Sequence, residues 1–194
     1  KLLIATNAYN NSTSATRVYG SSIVSYFQCV SQVLTPQDFD TILPNHHGCW
    51  DTALIMSSFR KTRENRLVFG AMGDTDNALG QYIHDAWAQR AVQRIFPNLK
   101  IELSHSWSGR IAVTQNKIPE IMRLGKDGYA IFGYSGRGIA PGTVIGEQFG
   151  KFSVTGDENE LCLKIIDNYR EKFTNLKSSY YEIGTLLFHL FNGR

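Results

Sequence analysis

The sequence predicts an α+β protein with a mainly antiparallel sheet and flanking helices. Three observations predict it: two strand patterns flank a charged turn, one long stretch has helical spacing of apolar residues, and a glycine-rich segment joins a strand to a helix. The 194 residues fit one compact unit with an appended segment, at about 150 residues per domain. Hydrophobic residues make up 42% and charged residues 19%, which excludes disordered and fibrous classes.

Charge, apolar runs and cysteines narrow the function classes. The net charge is +3 and the basic residues are scattered, so we expect no nucleic acid partner. The apolar runs fall far short of the roughly 20 residues that span a bilayer, so we expect no membrane span. Cys29, Cys49 and Cys162 are odd in number and lack paired spacing, which favours reduced thiols and a cytoplasmic location.

The first half of the chain is dominated by strand patterns. Residues 1–9 begin as a short apolar run and end in turn-forming residues, which predicts a strand buried on both faces. Residues 10–48 combine polar turn residues with apolar clusters, which predicts strands joined by loops. Residues 51–59 and 66–72 flank a charged stretch and predict a β-hairpin with a solvated tip.

The second half mixes helix and strand patterns. Asp76 is predicted to cap a long helix that Pro97 ends, because apolar residues recur between them at a spacing of three to five. Residues 101–114 and 129–132 predict strands. We expect a helix capped by Asp157 and running to about residue 173, and then an amphipathic helix over residues 180–191.

A glycine-rich segment, residues 133–146, joins the strand at 129–132 to a helix. Pro141 falls in the first helical turn, where its missing N–H does no harm. The free backbone N–H groups and the positive end of the helix dipole favour an anion or an electron-rich carbonyl there. Glycines follow every fourth residue from Gly138 to Gly150 and form a stripe without side chains, which predicts a tightly packed neighbour.

Three interpretations of this glycine segment are open. It is a helix N-terminus that faces a cofactor, a turn that serves packing alone, or a dinucleotide fingerprint of the Gly136-x-Gly138 type. The fingerprint is disfavoured because the following residues read as helix and not as a returning strand that ends in Asp or Glu. We expect no metal, since the adjacent histidines His46 and His47 cannot easily face one ion. Arg110 is a candidate for holding substrate or negative charge, with a surface arginine as the alternative.

Four segments together resemble the FAD-dependent D-amino-acid-oxidase-like oxidoreductases, and within them the γ-glutamylputrescine oxidoreductase-like branch. They are Ile-Ala-Thr-Asn-Ala-Tyr at 4–9, Arg-Leu-Val-Phe-Gly-Ala at 66–71, Trp-Ser-Gly-Arg-Ile-Ala at 107–112 with Pro119, and Gly-Tyr-Ser-Gly-Arg-Gly-Ile-Ala-Pro at 133–141. Their order and spacing match the family, and the resemblance covers essentially the whole chain.

The resemblance implies a carboxy-terminal part of such a protein, without the amino-terminal half that carries GxGxxG. The implied domains are a returning strand of the FAD domain (1–9), a substrate-binding antiparallel sheet with one long helix (10–115), an FAD-domain strand with the glycine-rich helix (116–156) and a C-terminal helical extension (157–194). The missing half would be the partner of this chain, and we expect the isolated chain to be inactive.

The resemblance also implies a cofactor and site residues. The family oxidises a C–N bond by moving a hydride equivalent to FAD. The implied cofactor-binding residues are Thr6, Asn7, Gly109, Gly136, Arg137, Gly138 and Ile139, and the implied catalytic residues are Trp107, Arg110 and Arg137. We expect non-covalent FAD, because the flavin-linking cysteine of sarcosine-oxidase-like members aligns with Gly109 here.

Two departures from the family bear on the substrate. A carboxylate-binding lysine of sarcosine-oxidase-like members is replaced by Ala140, and the carboxylate-binding arginine of glycine-oxidase-like members aligns with Ile111. Their loss favours a small-molecule amine of the γ-glutamylputrescine kind, and so a role in putrescine catabolism. The alternatives are a non-catalytic binding or scaffold domain of the same fold without flavin and, third, an NADP-binding module.

Overall fold

The computed structural model describes residues 1–12 and 20–191, and of residues 10–12 the backbone alone. It confirms the α+β class, with two sheets and four helices among these residues. The strands are β1 (Leu2–Ile4), β2 (Ser22–Ser31), β3 (Cys49–Trp50), β4 (Ser57–Lys61), β5 (Leu67–Met72), β6 (Leu103–Val113), β7 (Glu120–Arg123), β8 (Gly128–Phe132) and β9 (Ile165–Ile166). The helices are α1 (Pro36–Thr41), α2 (Ala78–Ile95), α3 (Ile139–Thr155) and α4 (Thr174–Phe191), and two short 3-10 helices span Asn7–Ser12 and Glu158–Glu160.

The described residues form two compact units. The first contains residues 1–24 and 110–178, and the second contains residues 25–109 and 179–191. The division therefore falls within β2, β6 and α4. None of the helices in the described part of the chain is both long and apolar enough to cross a membrane.

The sheet of the first unit has the strand order β1-β8-β7-β9. β1 runs parallel to β8, with Leu2 opposite Gly128 and Ile4 opposite Ala130. β7 is antiparallel to β8 and parallel to β9. β9 therefore runs antiparallel to β8, and α3, which lies between them in sequence, is not the crossover of a parallel βαβ unit. This topology excludes the dinucleotide fingerprint at the glycine segment.

Both faces are buried at the two inner strands, β7 and β8, whereas in the edge strand β1 Leu2 is 63% exposed, so the burial predicted for the first strand is wrong. Because side chains alternate along β8, Tyr129 and Ile131 lie on one face and Ala130 and Phe132 on the other. The first face packs against α3, and its buried cluster consists of Ile121, Tyr129, Ile131, Ile145, Phe149 and Phe152. The second face packs with Met122 and the partly buried ring of Tyr169. The central strand is therefore fixed from both sides next to the glycine segment.

The second unit is a five-stranded sheet in the order β3-β4-β5-β2-β6, covered on one face by α2. The predicted hairpin is confirmed as β4 and β5, with Lys61 opposite Leu67. Every second residue of the central strands enters the core beneath α2. This core includes Phe27, Cys29, Phe69, Ala71, Trp87, Ala88 and Val92.

A buried histidine pair joins α4 to α2 inside the second unit. His84 Nδ1 and His189 Nδ1 are 2.8 Å apart, both residues are fully buried, and the two Nε2 atoms have no hydrogen-bond partner among the described residues. Burial lowers the pKa of His84 to about 4, although the charges of Asp74 and Asp85 act to raise it. Burial, His84 and Arg90 lower the pKa of His189 to about 3. Both rings are therefore neutral at pH 7.

The prediction of a helix from Asp157 to about residue 173 is wrong. The first part of the helical extension predicted over residues 157–194 is wrong for the same reason. That segment contains a 3-10 helix and then β9. Leu161, Leu163 and Ile165 alternate and pack onto the α3 side of the first unit's core, so a period of two fits the segment. A helix is present only from Thr174, and its residues 179–191 belong to the second unit.

Two smaller differences concern the ends of other predicted segments. The cap of α2 is Asn77, whose Oδ1 accepts a hydrogen bond from Gly80 N at 2.8 Å, and not Asp76. The predicted sheet segment 10–115 also differs, because residues 110–113 of β6 group with the first unit. Residues 13–19 of that segment, and residues 192–194 of the predicted extension, lie outside the described residues.

Candidate functional site

In the first unit, the carboxyl ends of two parallel strands meet at one edge of the sheet. Thr6 and Asn7 follow β1, and Gly133 follows β8. Asn7 Oδ1 accepts a hydrogen bond from Gly133 N at 3.0 Å, so the side chain predicted to bind a cofactor ties the two strand ends together. Asn7 itself has a left-handed backbone, with φ 46°. Thr6 is exposed beside it.

The turn after β8 is held tightly against the end of β6. Gly133 has φ +82°, and a Cβ atom there would lie 2.2 Å from Cγ2 of the buried Thr114. Ser135 N donates to Ala112 O at 3.1 Å, which continues the contact with β6. Ser135 and Gly136 also have positive φ, of 52° and 84°. This backbone requires glycine at 133, where both the conformation and the available space exclude a side chain.

The turn leads directly into α3, whose N-terminus is uncapped. Gly138 is the N-cap residue, and no side chain accepts a hydrogen bond from the first turn. Arg137, Gly138 and Ala140 are exposed, and Ile139 is 91% exposed. Pro141 lies in the first turn as predicted. The unpaired N–H groups and the helix dipole make this end electropositive, and no acidic residue of the first turn offsets it.

The glycines along α3 have space around them. Gly142 lies near the ring of Tyr134, where an added Cβ would be 3.8 Å from Cε1. At Gly146 and Gly150 an added Cβ would meet nothing within 4 Å. The predicted stripe is present, and in the described residues no neighbour covers its last two positions.

Arg110 lies on β6 in the same unit as this turn. Its backbone N donates to the hydroxyl of Tyr9 at 3.0 Å, and its side chain is exposed. Tyr9 is not among the site residues that the sequence predicts. Its place two residues after Asn7, on the same strand-end loop, was the available signal.

Trp107 and Gly109 belong to the second unit. Trp107 is 47% exposed on β6. The neighbouring Ser108 hydroxyl is hydrogen-bonded to Asp76 at 2.9 Å and lies 3.2 Å from Asp74. The first unit thus holds Thr6, Asn7, Arg110, Gly136, Arg137, Gly138 and Ile139 of the predicted site, and the second unit holds Trp107 and Gly109.

The second unit also has an open polar cavity of about 400 Å³ that the sequence did not predict. Asp85 is one of its lining residues and accepts hydrogen bonds from the Cys29 thiol at 3.6 Å and the Ser106 hydroxyl at 2.9 Å. Burial and then Asp85 raise the pKa of the Cys29 thiol well above its usual value. Cys29 is therefore a neutral thiol and an unsuitable nucleophile at pH 7.

The adjacent histidines are in an exposed loop. His46 and His47 are both exposed, and His46 has φ 56°. Among residues 1–12 and 20–191, His, Cys, Asp and Glu form no group of three or more that could hold a metal ion.

The chain is similar to a known protein family and to several known proteins. A family model described as FAD dependent oxidoreductase (DAO) matches residues 1–151. A probable oxidoreductase OrdL from Haemophilus influenzae is 25% identical over 171 residues, which cover 84% of this chain and 37% of that protein. The γ-glutamylputrescine oxidoreductase of Escherichia coli is 26% identical over 125 residues, which cover 57% of this chain and 27% of that protein.

A solved structure shows the same fold. The iminodiacetate oxidase from Chelativorans sp. BNC1 superposes with a TM-score of 0.62 and 14% sequence identity, over 88% of this chain and 46% of that one. The chain thus spans less than half the length of each protein it is compared with here. Since the family model covers most of the residues, this chain belongs to the DAO family of FAD-dependent oxidoreductases, whose cofactor is FAD.

Proposed function

We propose that this chain forms part of an FAD-dependent oxidoreductase that oxidises a C–N bond of an amine or amino acid, with a γ-glutamylputrescine-like amine as the favoured substrate. The observation that carries the proposal is the uncapped, exposed N-terminus of α3, which follows a turn that Asn7 ties to the end of β1. The similarity to a γ-glutamylputrescine oxidoreductase supports the substrate class.

The residues at this edge of the sheet fit an electron-rich carbonyl group of FAD. The electropositive N-terminus of α3 suits an electron-rich carbonyl, and the exposed Gly136 and Gly138 present no side chain that would block its approach. Bound FAD would supply the acceptor for the hydride that leaves the C–H bond of the carbon attached to the amine nitrogen, so that the C–N single bond is oxidised. The N–H groups near Ile139 and the charge of Arg137 would stabilise negative charge on the bound cofactor, as fixed dipoles do in an oxyanion site.

The other proposed site residues have supporting roles. Thr6 and Asn7 bind the cofactor at the end of β1, and Gly109 leaves room for FAD where a covalently linking cysteine would stand. FAD is therefore held without a covalent bond. Most of its remaining contacts would come from an amino-terminal half outside this sequence, and the isolated chain would then be inactive.

Substrate contacts are assigned to Trp107 and Arg110. Trp107 offers an exposed indole face to the substrate, and Arg110 offers an exposed guanidinium with several N–H donors. The resemblance to sarcosine-oxidase-like and glycine-oxidase-like enzymes implies that Ala140 and Ile111 take the positions of their carboxylate-binding side chains. The substrate is thus an amine without an α-carboxylate at the reacting carbon.

Absorption spectroscopy tests the flavin assignment on protein expressed from the complete reading frame. We expect flavin bands that acid precipitation releases into the supernatant. Asn7→Leu removes the acceptor for Gly133 N, and we expect it to lower flavin retention, whereas Asn168→Leu, at an exposed asparagine of the same unit, should not. A colourless protein that cannot take up FAD would instead support a non-catalytic domain.

A second experiment tests the substrate class. Turnover of γ-glutamylputrescine-type amines is compared with turnover of sarcosine and D-alanine by the same flavin-loaded protein. We expect a higher kcat/KM for the amines. Preference for the two amino acids would overturn the amine assignment and leave the oxidoreductase assignment intact.

A further inference from the structure

The exposed face of α4 in the second unit carries an apolar stripe. Tyr180, Ile183, Leu187 and Leu190 are 73%, 60%, 46% and 50% exposed, and Phe191 at the end of the helix is 79% exposed. The spacing of three and four residues is the a/d pattern of a coiled-coil seam. Large apolar side chains in such a continuous row mark an interaction surface.

The opposite face of α4 is already used inside the second unit. Thr185 and His189 are buried there, and His189 bonds to His84 of α2. A surface helix needs one apolar face to fold against its own core. The stripe is therefore a second apolar face that intramolecular packing of the described residues does not use.

The charge pattern favours a second copy of this chain over a lipid surface. Between residues 180 and 191 the charged residue is Glu182, which is partly buried and hydrogen-bonded to Ser25. Identical stripes therefore meet without like-charge repulsion. Helices that bind anionic membranes carry Lys and Arg beside their apolar face, and this stretch has neither.

The area of the stripe reaches the lower end of specific protein interfaces. Taking roughly 200 Å² for a large apolar side chain that is fully exposed, the five side chains present about 600 Å² per copy, or about 1,200 Å² for two copies. Specific interfaces bury about 1,200–2,000 Å² in total. Gly184 lies next to Ile183, and a Cβ atom there would meet nothing within 4 Å, so another helix can approach closely.

We propose that the α4 stripe pairs with the same stripe of a second copy across a two-fold axis, so that the full-length protein is a homodimer. In such an isologous contact each residue of one stripe meets its counterpart from the other copy. The proposal is independent of the substrate and of the flavin site.

Sedimentation equilibrium of the full-length protein tests this proposal. We expect a wild-type dimer, and at least a 100-fold weaker dimer when Ile183→Glu and Leu187→Glu are combined. Leu54→Glu is the matched control, because Leu54 is 97% exposed in the same unit and off the stripe, and this variant should remain dimeric. Circular dichroism checks that each variant is folded.

Two results would overturn the proposal. One is a wild-type protein that stays monomeric at all concentrations. If hydrogen exchange then shows that the stripe is protected, another part of the same polypeptide covers it and the proposal is still overturned. The other is a folded double variant that dimerises as tightly as the wild type. If the double variant does not fold, Ile183→Cys with a short bis-maleimide replaces it: crosslinking of two copies supports the proposal, and none refutes it.

Discussion

Replacing Gly133 with alanine should destabilise the first unit by about 3 kcal/mol. Two costs add. The backbone at Gly133 is left-handed, with φ +82°, which costs an L-residue roughly 1–2 kcal/mol. The new Cβ would also lie 2.2 Å from Cγ2 of Thr114, so a packed side chain must move, typically at a cost of about 1–3 kcal/mol.

Two further variants separate these costs. Gly125 has a similar φ of +76° but an added Cβ there meets nothing within 4 Å, so Gly125→Ala should cost only about 1 kcal/mol. Thr114→Ser removes the clashing Cγ2 and keeps the hydroxyl that donates to Ile118 O at 2.9 Å. Combined with Gly133→Ala, it should recover most of the steric cost.

The assay is urea unfolding of the full-length variants, with peptide-level hydrogen exchange over residues 128–145 to localise the effect. We expect the exchange of β8 and the start of α3 to accelerate in Gly133→Ala and to slow again in the double variant. Equal losses in Gly133→Ala and Gly125→Ala, or no recovery with Thr114→Ser, would refute the close contact described here.

Two other predictions concern the second unit. The pKa values of His84 and His189 are lowered from about 6.5 in the unfolded chain to about 4 and about 3 in the folded chain. The contribution of these two groups to the free energy of unfolding is therefore greatest above pH 6.5 and is lost as the pH falls toward 4. His84 alone accounts for a loss of about 3 kcal/mol. Unfolding midpoints against pH should show this slope, and His84→Leu with His189→Leu should flatten it. Asn77→Ala should destabilise α2 by about 1 kcal/mol and speed amide exchange in its first turn. Because Asp76 accepts a hydrogen bond from Ser108, the control is the exchange rate and not the stability: equally fast exchange of that turn in Asp76→Ala would contradict the cap.

Local sequence patterns were sufficient to predict the secondary structure of a segment where one pattern dominated. The hairpin of β4 and β5 and the start of α3 after a glycine turn follow from alternation, a charged tip and Pro141. The segment at 161–166 offered no such signal, because Leu-Cys-Leu-Lys-Ile-Ile fits either a helix or a strand. Ile165 pairs with Ile121 of β7, and this long-range pairing makes the end of the segment a strand.

By itself the sequence determined the family, because four short motifs in a fixed order match that family over most of the chain. It also indicated the electropositive start of α3, which depends on residues close together in the chain. Only the tertiary structure showed that Asn7 bonds Gly133, that Gly133 abuts Thr114 and that His84 meets His189, contacts between residues 19 to 126 positions apart. The division of the predicted site residues between two units was likewise decided by packing, because β6 belongs to both units and no local signal marks where the division falls.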